Sequence, residues 1–174
     1  MKENTATISN LHHLMDYDAR KFITAETVLK NSLHNWISTA GSLKLKTVLQ
    51  KYFDYVQQHI QKMEEFYKEE AIVTAGLTNR VMPAFIADAE EKLENCTDPT
   101  VKDACLLACV QAINHYKISA YGTAAAFANA LELEKHATFF REAGVNEKQI
   151  DDRLSQLAEH EINTNAKMPG VLHQ

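Results

Sequence analysis

The chain has 174 residues, a formal net charge of −5, 45% hydrophobic and 24% charged residues; this suits one soluble domain with its own core and excludes collagen-like, disordered and low-complexity classes. Nothing concentrates positive charge, which argues against a nucleic-acid ligand. Three cysteines without a Cys-x-x-Cys pair argue against a secreted disulfide framework, the polar start lacks a signal-like apolar region, and no run reaches the ~18 apolar residues of a membrane helix, so a cytoplasmic protein that binds neither nucleic acid nor membrane is expected.

The chain reads as long helices with brief punctuation. The first is expected over residues 8–40, with Ser9 as N-cap, Gly41 just past its end, and Leu14, Phe22, Ala25, Leu29, Leu33 and Trp36 recurring at helical steps. The second is expected over 43–75, with Gly76 after it and a stripe through Leu45, Leu49, Tyr52, Val56, Met63 and Phe66. A connecting segment holds a short helix over 83–95. Asp98-Pro99, an N-cap followed by proline at the first helical position, opens a third long helix over 99–131. The fourth spans 134–165; Gly144 is expected to kink or split it, with Asn146 capping a second part. Residues 166–174, with Pro169-Gly170, read as a loose tail. Four amphipathic helices about 45 Å long bury their stripes best as an antiparallel bundle. The fold class is therefore all-α: a four-helix bundle in one domain, with the short helix in the crossover between helices two and three.

Polar groups inside the apolar stripes carry the functional signal. Glu26 lies four residues after Phe22 and three before Leu29. His59 shares a face with Tyr52, Val56, Met63 and Phe66, and Asn114 falls between Val110 and Ile118. Glu147 aligns with Phe140, Ala143, Ile150 and Leu154, and Asp151 follows it one turn on. A buried carboxylate is costly unless it is paired or binds a metal, and Glu26, His59, Glu147 and Asp151 offer oxygen and nitrogen ligands for iron, manganese or zinc. Equally, Tyr52, Tyr55, Tyr121, Asn114 and His115 could satisfy the carboxylates by hydrogen bonding across the bundle. The Glu-x-x-His pair of di-iron bundles is absent: His59, His115, His136 and His160 follow Val56, Ala112, Leu133 and Leu157 at that spacing.

The run Gln111-Ala112-Ile113-Asn114-His115-Tyr116-Lys117-Ile118-Ser119-Ala120-Tyr121-Gly122-Thr123 resembles the helix-three signature of the YciF-like ferritin-like proteins. Phe22-Ile23-Thr24-Ala25-Glu26, His59 with Glu64, Glu147-Lys148 with Asp151, and Leu154-Ser155-Gln156-Leu157-Ala158 before Ile162-Asn163 are similar to that family's remaining motifs, in order along nearly the whole chain. The resemblance implies a ferritin-like bundle, cytoplasmic and homodimeric, associated with bacterial stress, with a metal site to which Glu26, His59, Glu147 and Asp151 correspond. Asn114 and Lys117 stand where the family pattern has glutamates, and Asp54 and Tyr55 replace its paired glutamates in helix two. A two-metal centre needs carboxylates against about four positive charges, so these departures imply a degenerate site that holds iron or manganese weakly or not at all. The favoured reading is a structural or interaction protein with an unidentified protein partner, and the reading leans away from an enzyme. The alternatives are a metal-dependent redox or iron-handling protein using the residual site, and a small-molecule binder in a bundle cavity.

Overall fold

A computed structural model of the protein describes residues 7–72 and 77–167. It contains α1 (Leu11–Thr39), α2 (Leu43–Glu69), α3 (Val81–Asn95), α4 (Pro99–Ala130) and α5 (Glu134–Leu157), then a π-helical turn (Ala158–Ile162) and α6 (Asn163–Lys167). No strand occurs among the described residues. The fold is the all-α, ferritin-like antiparallel bundle expected from the sequence. α1 packs against α2 and α4, α5 packs against the same two, and α3 lies along α1 and α4 as the crossover.

Two contacts fix the topology. The Asp103 carboxylate near the start of α4 accepts hydrogen bonds from the backbone N–H groups of Gly41 and Ser42, both at 2.8 Å. The start of α4 therefore sits at the α1–α2 turn. Lys135 at the start of α5 pairs with Glu69 at the end of α2. Hence α2 and α4 run one way, α1 and α5 the other, and neighbouring bundle helices are antiparallel.

Local chemistry sets the helix ends. Asn10, rather than Ser9, caps α1: its Oδ1 accepts from His13 N at 2.8 Å, while Ser9 Oγ pairs with His13 Nδ1 at 3.0 Å. Ser42 caps α2, and Asp98 caps α4 by accepting from Thr100 N at 2.8 Å and Val101 N at 3.2 Å. Gly41 supplies room rather than a left-handed turn, since a Cβ there would lie 3.1 Å from Asp103 Oδ2. The left-handed positions after α2 and α4 are Ala71 and Glu132, with φ of 51° and 60°. Ile72 N bonds Tyr67 O at 3.0 Å and Leu133 N bonds Ala128 O at 2.9 Å, closing both helices in Schellman motifs. α2 thus ends at Glu69; Gly76 lies outside the described residues.

Gly144 neither kinks nor splits α5, and Asn146 caps nothing there: the helix is continuous from Glu134 to Leu157. Gly144 faces α4, where an added Cβ would meet Tyr121 Cβ at 3.8 Å. The helical irregularity comes later, in the π turn, where Ile162 is buried and Glu161 reaches Ser42 and Lys44 at the α1–α2 turn.

Candidate functional site

Halfway along the bundle the apolar stripes are interrupted by one polar layer. Helical spacing turns Glu26 of α1, His59 of α2, Asn114, Lys117 and Tyr121 of α4, and Glu147 of α5 inward, and all are buried. The Lys117 ammonium lies between two carboxylates, 2.6 Å from Glu147 Oε1 and 3.1 Å from Glu26 Oε2, with no solvent exposure on any of the three side chains. The same nitrogen lies 4.6 Å from the centroid of the Tyr52 ring, a favourable cation–π placement.

The outer carboxylate oxygens are held by hydroxyl and amide donors. Tyr121 OH donates to Glu26 Oε1 at 2.5 Å and Tyr52 OH donates to Glu147 Oε2 at 2.7 Å. Asn114 Nδ2 donates to Glu147 Oε2 at 2.7 Å and to its backbone oxygen at 2.9 Å, whereas buried Asn114 Oδ1 has no hydrogen-bond partner. His59 Nδ1 faces both carboxylates, 3.8 Å from Glu26 Oε1 and 3.6 Å from Glu147 Oε1. Its Nε2 contacts Asn146 Nδ2 at 3.3 Å, beside a groove of about 440 Å³ between α2 and α5 that both residues line. His59 therefore joins the closed layer to an open groove.

Two carboxylates share one ammonium here, and their acidities diverge. Burial opposes ionisation of Glu26, but Lys117, His59 and the Tyr121 hydroxyl outweigh it and hold its pKa below the ordinary carboxylate value. Burial lifts Glu147 above that value; Lys117 offsets this only in part and Glu26 adds to it. Burial, with the adjacent carboxylates, also pushes the Tyr52 and Tyr121 phenols well above their usual range.

Of the four residues read from the sequence as metal ligands, Glu26, His59 and Glu147 converge, each offering a donor atom within 4.8 Å of the others. Asp151 does not join them. A step of four residues along a helix moves one turn up and some 40° round, so Asp151 meets His115 Nε2 at 2.9 Å and accepts from Gln111 Nε2 at 3.0 Å on the partly exposed flank. Asp54 also stays outside, bonded by Gln50 Nε2 at 3.0 Å. The inward turn of Lys117 was open to sequence reasoning only through its spacing: it follows Val110 by seven residues and precedes Tyr121 by four.

The buried Glu–His–Glu group is spaced to hold one metal ion. A two-metal centre does not fit: the carboxylate expected from helix three is Asn114, and the Lys117 ammonium already contacts the inner oxygens of both glutamates. A cation bound there must displace that ammonium.

Fold and polar layer together define a ferritin-like helical bundle with a mid-bundle carboxylate centre. The chain belongs to the family described as a domain of unknown function, DUF892, whose model matches residues 10–167. It is 28% identical over 145 residues to protein YciF of Escherichia coli K12, covering 83% of this chain and 87% of that one. Among solved structures it is similar to the E. coli stress protein YciF, with TM-score 0.84, 24% identity and coverage of 90% and 99% of the two chains. It is also similar to YcfI of Rhodopseudomonas palustris, for which a structural role has been suggested, with TM-score 0.83, 25% identity and coverage of 88% and 98%.

Proposed function

We propose that this protein is a stress-associated structural bundle in which Lys117 neutralises the carboxylates of a degenerate metal centre, and that it acts through protein contacts as a cytoplasmic homodimer. The observation that carries this reading is the Lys117 ammonium within 3.1 Å of both Glu26 and Glu147 in a layer closed to solvent. An internal cation supplies the charge that a bound ion would otherwise supply. The stress description of one solved relative and the structural description of another support this reading.

A second reading is favoured by the spacing of Glu26, His59 and Glu147: a single iron or manganese ion held by these three, in a redox or iron-handling role. The two readings separate on metal content, measured by plasma mass spectrometry on untagged protein after anaerobic titration with ferrous iron. The structural reading expects well under one ion per chain in the native protein and uptake in Lys117→Gln, which removes the competing charge. One firmly held ion per native chain, lost in Glu26→Gln, would establish the second reading instead.

A further inference from the structure

Beside the polar layer, a cavity of about 310 Å³ opens between α1, the start of α3 and α4. That is the lower end of the range of small-molecule sites, ~300–1,000 Å³. Phe22, Ala120, Ala124 and Phe127 wall it, and buried Met63 and Tyr121 close its deep end. The single-carbon side chains of Ala120 and Ala124, one turn apart on α4, leave the space that larger residues would fill.

The buried polar side chains in the walls, Asn79 and Tyr121, are already engaged. Asn79 Oδ1 accepts from Val81 N and Met82 N, both at 2.9 Å, and Asn79 Nδ2 contacts Tyr116 OH at 3.4 Å. The Tyr121 hydroxyl is committed to Glu26. The interior therefore asks for an apolar tail. The rim is different: Lys21 and Arg80 supply two cations against the single carboxylate of Asp18. Lys21 lies over the Tyr17 ring, 4.8 Å from its centroid. Arg80 has no ion-pair or hydrogen-bond partner among the described residues.

We infer that this cavity binds a single-chain amphiphilic carboxylate, a medium-chain fatty acid, with the tail directed toward Tyr121 and the carboxylate at the Arg80 and Lys21 rim. The volume suits one acyl chain rather than the paired chains of a phospholipid, and the excess positive charge selects an acid over an alcohol of the same length. This ligand goes beyond the structural role proposed above and does not depend on Lys117 filling the metal centre.

The test is calorimetric titration of the delipidated full chain with dodecanoic acid and with dodecanol, each below its self-association concentration. The expected result is saturable binding of one dodecanoate per chain, about tenfold tighter than dodecanol, since one charge-assisted contact is worth roughly that factor. Ala124→Phe fills the cavity and should abolish binding of both. Arg80→Ala should weaken dodecanoate about tenfold and leave dodecanol unchanged. Thermal unfolding confirms that each variant is folded, and Ala120→Leu replaces Ala124→Phe if the latter is not. Absence of saturable binding, equal affinity for acid and alcohol, undiminished binding by a folded cavity-filled variant, or indifference of dodecanoate to Arg80→Ala would each overturn the proposal.

Discussion

Halfway along the bundle Glu26 and Glu147 meet Lys117 with no solvent contact, whereas at the end where α2 stops Glu69 and Glu70 meet Lys135, His136 and His12 with side-chain exposures from 9% to 72%. The residue types are alike and the physics is not. In the buried layer each charge has left water, so its partner is indispensable: removing one member of a buried pair costs ~3–5 kcal/mol, because the other is left uncompensated. At the bundle end water and salt stand in for any lost partner, and such pairs contribute ~0–1 kcal/mol. A bundle can thus carry two charged clusters of which only one governs stability.

The largest test of that contrast is Lys117→Met. With two carboxylates left facing each other in the core, urea unfolding should show a loss of about 3–5 kcal/mol. Adding Glu26→Gln and Glu147→Gln to the same chain should recover much of it, since the charges then disappear together and buried pairs are often replaced by neutral groups at little cost. A loss below about 1 kcal/mol in the single variant would place Lys117 among the solvated pairs instead.

Acidity sharpens the comparison within the layer. Glu26 titrates below the ordinary value of 4.5 in the folded state, so its stabilising contribution is present above 4.5 and is lost as pH falls through the folded value. Glu147 titrates above 4.5, so its contribution is complete below 4.5 and is lost as pH rises through the folded value. Glu26→Gln should therefore become more destabilising, relative to native protein, as pH climbs to 4.5, and Glu147→Gln less destabilising as pH climbs beyond it. The losses of the two variants relative to native protein should change with pH in opposite directions; parallel changes would mean that the layer does not set the two acidities apart.

The bundle was legible because its signals are local and periodic: the stripes of α1, α2 and α4 and the Asp98-Pro99 start are properties of consecutive residues. The inward placement of Glu26, His59 and Glu147 was legible for the same reason. Other features depend on partners distant in sequence or on backbone context. Gly76 drew the expected end of α2 too far, because Ala71 takes the left-handed position that glycine usually fills. Gly144 signalled a break but sits within a continuous helix, facing α4 at ordinary van der Waals distance. Asp151 shares a flank with Glu147 and points to another neighbour, a 40° difference that a pattern at four-residue steps does not resolve. The position of the Lys117 ammonium was beyond reach, since it follows from how α1, α4 and α5 converge.

The smallest expected effect lies at the bundle end. Glu70 Oε1 meets His136 Nε2 at 3.0 Å and Glu70 Oε2 meets His12 Nε2 at 3.7 Å, yet His136 keeps Glu69 at 3.6 Å and its edge-on packing against Phe66 when Glu70 is neutralised. Glu70→Gln should cost ~0–1 kcal/mol, and the difference should fade near 1 M salt, where charges are screened beyond ~3 Å. A second readout is Asp16, whose pKa is raised first by burial and further by Glu70 against the opposing pull of His12. In Glu70→Gln the Asp16 carboxyl, followed by NMR titration, should move down toward its ordinary value while global stability barely changes. A salt-insensitive loss approaching that of Lys117→Met would show that the end cluster is sealed from solvent and that the contrast between the two regions is wrong.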